Sequence, residues 1–311
     1  MKNKYYRKIG ISLGLIFVLA NIVAFSHAYK FTHFSENDLK KTSKDLTFTE
    51  KVKIMVFGIN NPRPKTNSFP IQNYETFTVD SNVKLECWKI EIEDSKGTVI
   101  LFHGYGGEKS SLLDKSELFN ELGFTTILVD FSGSGGSEGN QTTIGFNEGL
   151  QVKDVYKKIL ANDENNIYLF GTSMGAVAIM KAVNDGEVSP NGLILECPFG
   201  TMYETVKSRF EILNVPSFPM AELLMFWGGI QNGFWAFNHN PKEYAKKIET
   251  PVLLMYGAQD EKVSLSEIDE IFNNLKGEKE LKTYPQSGHE NYLIKYKKEW
   301  KSDVETFLTK K

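Results

Sequence analysis

From Thr98 onward the chain alternates short apolar runs with helical patterns, and this rhythm constrains the fold more than any other feature. The apolar runs are Thr98–Phe102, Thr126–Asp130, Asn166–Phe170, Gly192–Glu196 and Pro251–Tyr256, with a last strand pattern at Glu280–Tyr284. Between and after them, Lys109–Leu122, Gly145–Leu160, Met174–Val183, Ser264–Leu275 and Glu290–Thr309 read as helices. Runs of about five apolar residues without polar alternation are strands buried on both faces, and helices of 10–15 residues between them supply crossovers. The pattern therefore predicts an α/β domain with a mostly parallel sheet covered on both faces. Glu75–Asp80 and Lys84–Glu93, joined by a Ser81-Asn82 turn, predict an opening antiparallel pair. The rhythm breaks once, over the 54 residues 197–250. That stretch is read as a lid on the carboxyl edge of the sheet, where open α/β sheets bind ligands.

The first thirty residues differ from the rest. Lys2, Lys4, Arg7 and Lys8 precede 21 residues without formal charge, Ile9 to Tyr29. As a helix rising about 1.5 Å per residue this stretch reaches roughly 31 Å, close to the hydrocarbon thickness of a bilayer. Residues 1–29 are read as a membrane anchor or as a signal segment. Small residues at Ser26 and Ala28 permit cleavage after Ala28, and both readings stay open. The basic tip stays on the cytoplasmic side by the positive-inside tendency, so the body is expected outside the membrane, anchored there or released. Residues 30–72, punctuated by Asn61-Pro62-Arg63-Pro64, are expected to form a stalk with one helix over 43–56. Residues 73–311 are then expected to form one α/β domain. The net charge of −3 conceals this division. Without residues 1–28, 32 basic face 39 acidic residues, which excludes a polybasic surface for nucleic acid.

The residues with chemistry stand at strand ends. Gly171-Thr172-Ser173-Met174-Gly175 lies between a strand and a helix. Such a turn lifts the Ser173 hydroxyl to the start of a helix, where developing negative charge is favoured. A serine hydroxyl needs a base, and His289, in Gln286-Ser287-Gly288-His289-Glu290 after the last strand, is the candidate. The imidazole in turn needs a carboxylate. Asp260, just past Pro251–Tyr256, is the first choice, with Glu261 and Glu196 behind it; Glu196 is expected to order the start of the lid. His103-Gly104-Tyr105-Gly106-Gly107 follows another strand. The backbone N–H groups of Tyr105 and Met174 are expected to form an oxyanion hole, and His103 to be a structural hydrogen-bonding residue. Five scattered histidines and two cysteines offer no metal motif, so no metal is expected.

These motifs, with Asp130-Phe131-Ser132-Gly133-Ser134-Gly135-Gly136-Ser137, resemble the α/β-hydrolase superfamily over roughly residues 83–307. The lid and the turn 130–137 look like its serine-aminopeptidase and monoglyceride-lipase-like branch and that branch's membrane-anchored bacterial relatives. Ser132 stands where the branch's Asp-x-Arg-Gly turn has arginine. The resemblance implies an eight-stranded, mostly parallel sheet and a cofactor-free hydrolase using Ser173, Asp260 and His289. It also implies that Cys87 and Cys197 lie too far apart to form a bridge.

The expected function is hydrolysis of carboxylic esters of small or lipid-like acyl substrates through an acyl-enzyme. A peptidase, thioesterase or acyltransferase would use the same triad, and a non-catalytic surface binding protein is the alternative of another class. The lid aromatics, among them Tyr203, Phe210, Phe226, Trp227 and Trp235, are expected to pack the lid or to line an acyl pocket. No acidic cluster in the lid points to capture of a substrate amine.

Overall fold

The computed structural model describes residues 2–36, 47–162 and 164–310. It opens with α1 (Lys2–Thr32), the two-residue β1 (Phe34–Ser35), α2 (Phe48–Phe57) and the two-residue β2 (Asn61–Pro62). The domain follows as β3 (Glu75–Asp80), β4 (Lys84–Ile90), β5 (Thr98–Phe102), a 3-10 turn at Lys109–Leu112, α3 (Leu113–Glu121), β6 (Thr125–Val129), α4 (Glu148–Leu160), β7 (Ile167–Thr172), α5 (Met174–Asn184) and β8 (Gly192–Glu196). The lid holds α6 (Met202–Ile212), α7 (Met220–Gln231), a short 3-10 turn and α8 (Pro241–Ala245). β9 (Val252–Gly257), α9 (Leu265–Asn274), β10 (Lys279–Tyr284) and α10 (Leu293–Thr309) complete the chain.

Eight strands form one sheet in the order β10-β9-β8-β7-β5-β6-β4-β3. Only the pairs β3–β4 and β4–β6 are antiparallel. β5, β6, β8 and β9 are buried along their whole length, as their unbroken apolar runs require. Successive residues feed opposite faces. Ile100 and Phe102 join a core with α4, α5 and α9, through Val152, Val177, Ile179 and Ile268. Val99 and Leu101 join a second core with α3 and α10, through Phe119, Trp300 and Val304. The parallel register puts Phe102 beside Gly171, Thr172 beside Glu196, and Glu196 beside Met255, so the loops after these strands open on one edge.

Helix starts moved inward from the sequence reading for local reasons. Lys109–Leu112 is a 3-10 turn because the Glu108 side chain caps it and leads into α3. Glu148, expected in the first turn of its helix, opens α4 instead; its carboxylate accepts from the N–H groups of Thr143 and Gly145 and holds the preceding loop non-helical. α2 starts at Phe48 behind a Thr47/Glu50 capping box, and 43–46 of the expected helix lie outside the described residues.

The described parts of 30–72 dock on the domain. β1 pairs with β2, and the Phe34 N–H donates to Asn140 O at 2.7 Å. Arg63 donates to the carbonyls of Ser137 and Gly139 in the turn that holds Ser132. Asp130 of that turn accepts from the Lys109 and Gly136 N–H groups at 2.7 and 2.9 Å and pairs with the Lys109 ammonium. Cys87 on β4 and Cys197 after β8 are both free and buried.

Candidate active site

Ser173 sits in the turn between β7 and α5 with φ of +51°, a backbone region that costs a non-glycine residue energy. Its glycine neighbours are required by close approach. A Cβ at Gly171 would stand 2.6 Å from Ala176 N, and one at Gly175 would stand 2.3 Å from Phe102 O. Larger residues at either position would push the turn off the sheet. Met174 is the first residue of α5, and the first N–H groups of a helix lack intrahelical partners.

The structure brings Ser173, His289 and Asp260 together. His289 Nε2 is 3.0 Å from Ser173 Oγ, and His289 Nδ1 is 2.7 Å from Asp260 Oδ2. Asp260 Oδ1 accepts from the backbone N–H groups of Lys262 and Val263 at 2.8 and 3.0 Å, which fixes the carboxylate plane. The Asp260 side chain is buried and that of His289 is largely so. Burial opposes charge on the imidazole, but the adjacent Cys197 sulfur and the Asp260 carboxylate outweigh it and push the His289 pKa up to about 10.

The two second-choice acids lie elsewhere. Glu261 is exposed. Glu196 does not order the lid, as the sequence reading had it. Its buried carboxylate accepts from Lys115 Nζ on α3 and Trp300 Nε1 on α10, both at 2.6 Å, and so ties two body helices to the end of β8. The physical reason is burial: a carboxylate at that strand end needs a cation, and α3 supplies one. His103 is fully buried. Its Nδ1 is 2.8 Å from Gly104 O and its Nε2 accepts from the Phe131 N–H at 3.1 Å, so both nitrogens are engaged in the backbone. Burial lowers its pKa. The adjacent Gly104 packs against Ser173 and brings the Tyr105 turn to the serine.

A cavity of about 290 Å³ opens at the serine, lined by Gly104, Tyr105, Ser173, Cys197, Arg209 and His289 among others. Two of these, Cys197 and Arg209, were given no part in the site from sequence. Cys197 takes φ of +40° directly after β8, a position at the carboxyl edge that its place behind a strand could have flagged. Arg209, on α6, has a buried Nη1 without a hydrogen-bond partner, and burial lowers its pKa. Nothing in its helical context distinguishes it from a solvated lid cation. Among the described residues one group has metal-ligand atoms converging, those of Cys197, Asp260 and His289, within 4.8 Å of one another. An ion there would compete for the imidazole and carboxylate that already bond to each other.

Residues 93–225 match the family described as serine aminopeptidase, S33. That stretch holds Ser173 and ends before Asp260 and His289. Over 97% of both chains, the protein is 25% identical to the uncharacterized protein YqkD of Bacillus subtilis. It is 26% identical to the lysophosphatidylserine lipase ABHD12 of Macaca fascicularis over 57% of this chain and 45% of that one. The Pyrococcus furiosus esterase Pf2001 superposes with a TM-score of 0.67 and 25% identity, covering 80% of this chain and 97% of the esterase. With its sheet order and its strand-to-helix turn at a serine, the chain has the α/β-hydrolase fold, and its residues 93–225 are similar to the serine aminopeptidase S33 family.

Proposed function

We propose that the protein is a membrane-anchored serine hydrolase that cleaves carboxylic esters. The observation that carries this reading is the chain of contacts from Ser173 Oγ to His289 to Asp260, at 3.0 and 2.7 Å, beside an open cavity. His289 Nε2 takes the Ser173 proton as the oxygen attacks the acyl carbonyl. Asp260 holds the imidazole with Nδ1 protonated and stabilises the cation that forms. The N–H groups of Met174 and Tyr105 receive the oxyanion, in a partly enclosed site where such dipoles act strongly. The alkoxide leaves with the proton from His289. Water, deprotonated by the same imidazole, then opens the acyl-enzyme.

Esterase and lipase relatives support an ester as substrate. The placement at a membrane rests on α1, which is long and apolar enough to span a bilayer. We read it as retained, with the basic tip inside and the domain outside. Fluorophosphonate labels the wild type and fails to label Ser173→Ala if the reading holds; equal labelling of both removes it. Esters, thioesters and aminoacyl amides offered side by side rank the bond types. Turnover confined to amides would replace esterase with peptidase.

A further inference from the structure

α1 has two parts. Its residues from Asn3 to Leu19 are exposed, whereas Ala24, Ala28 and Thr32, one turn apart, are buried and Ala20 is half-buried. Small residues at that spacing let a second helix approach closely. The approaching helix is α7 of the lid. Trp227 Nε1 donates to Asn21 Oδ1 at 3.1 Å, Gln231 Nε2 to Phe25 O at 2.9 Å, and Asn232 Nδ2 to Thr32 Oγ1 at 3.2 Å. Phe25 meets the Trp227 ring edge-on at 5.2 Å. At its end the helix also grips the body: Tyr105 Oη donates to Phe31 O at 2.8 Å, and the two rings stack at 4.8 Å.

Between α1, α6 and α7 lies a cavity of about 300 Å³, large enough for a small ligand. Ala28, Phe31, Phe210, Leu213, Leu224 and Met225 are among its walls, and the lining is almost wholly apolar. Arg209 borders both this cavity and the cleft at Ser173, and the Tyr105–Phe31 stack joins the two linings. The free, uncharged part of α1, Ile9–Leu19, reaches only about 17 Å as a helix, so a span of about 30 Å takes in part of the docked segment as well. The lid helix docked there then meets the bilayer. Leu213 and Phe218, between α6 and α7, are 70% and 75% exposed on the same lid.

We propose that the docked segment of α1 forms, through residues 27–32, a wall of an acyl-chain cavity, and that the substrate is a single-chain, lipid-like acyl ester drawn from the membrane surface. This rests on the ester-hydrolase reading above. The segment read as anchor is then also a specificity element, and the chain is retained uncut at Ala28, because cleavage there would remove Phe31 and Thr32 from their support.

The full-length protein in detergent is tested with 4-nitrophenyl acetate and 4-nitrophenyl dodecanoate. A Cβ at Gly228 meets only the Ala28 Cβ, at 3.9 Å, so Gly228→Leu and Ala28→Leu add bulk to the wall from two sides. Each is expected to lower the ratio of dodecanoate to acetate kcat/KM at least tenfold. Unchanged ratios in both variants overturn the proposal. A second measurement needs no variant. A phosphonate with a twelve-carbon chain ending in a diazirine is bound to Ser173 of the wild type and irradiated. Crosslinks in peptides 21–32 and 202–231 support the proposal, and crosslinks confined elsewhere overturn it. A wild type that neither labels nor turns over acetate defeats the ester-hydrolase reading itself, and the proposal falls with it.

Discussion

Replacing Asp260 with asparagine keeps the shape of the site and reverses one hydrogen bond. The N–H groups of Lys262 and Val263 point at Oδ1, so the asparagine carbonyl oxygen must take that position. Its amide nitrogen is then turned toward His289 Nδ1, which lies 2.7 Å from the present Oδ2. A donor there forces Nδ1 to accept, which places the ring proton on Nε2, the atom facing Ser173. The base is thereby blocked rather than removed. Loss of the correct tautomer in a serine triad costs about 10⁴ in rate, equivalent to roughly 5.5 kcal/mol of barrier. The pH profile should move as well. In the wild type Asp260 raises the His289 pKa, and only the neutral imidazole accepts a proton, so the acid limb of kcat/KM lies above 6.5. In Asp260→Asn the carboxylate's support for the cation is gone while burial remains, so the limb moves to lower pH. The assay is kcat/KM for 4-nitrophenyl acetate across pH, with melting curves to show that the variant folds. Glu261→Gln, at an exposed carboxylate, is the control and should stay within about twofold, as surface changes usually do. A loss below tenfold with an unmoved limb would refute Asp260 as the partner of His289.

Other outcomes follow from the same contacts. Lys115→Met leaves the Glu196 carboxylate buried without its cation and should cost about 3–5 kcal/mol in urea unfolding. Adding Glu196→Gln, which still accepts from Trp300, should recover most of that loss; no recovery would contradict the pairing. Arg209→Gln should raise KM for esters carrying an anionic group and leave neutral esters nearly unchanged, since Arg209 lines the cleft and its Nη1 lacks an acceptor. Equal effects on both ester types would deny it that role. Gly175→Ala sets a methyl carbon against Phe102 O and should lower stability by about 1–3 kcal/mol, read as a fall in Tm.

The parts legible in the sequence are those encoded locally. An unbroken apolar run such as Thr98–Phe102 or Gly192–Glu196 has one use in an α/β domain, and the structure buries both strands throughout. Ser173 and Asp260 each stand just past such a run and His289 follows the last strand, so the sheet delivers all three to one edge. The partners of charges were harder to read, because they come from distant sequence. Glu196 meets Lys115 and Trp300, 81 and 104 residues away. Arg63 reaches the turn at 135–139 across more than seventy residues. The docking of α1 was hidden for a different reason. A helix apolar on every side does not announce which face meets protein and which meets lipid. The one available sign was the spacing of Ala20, Ala24 and Ala28, which matters only once a second helix is known to pass there.

The central claim is that Ser173 carries the acyl group during turnover. Rapid mixing of the wild type with a slowly deacylated 4-nitrophenyl ester, followed by mass spectrometry of the quenched protein, tests it most directly. A burst of about one 4-nitrophenolate per active enzyme and an acyl adduct on the peptide that contains Ser173 are expected. Turnover without that adduct, or a burst that persists in Ser173→Ala, would contradict it.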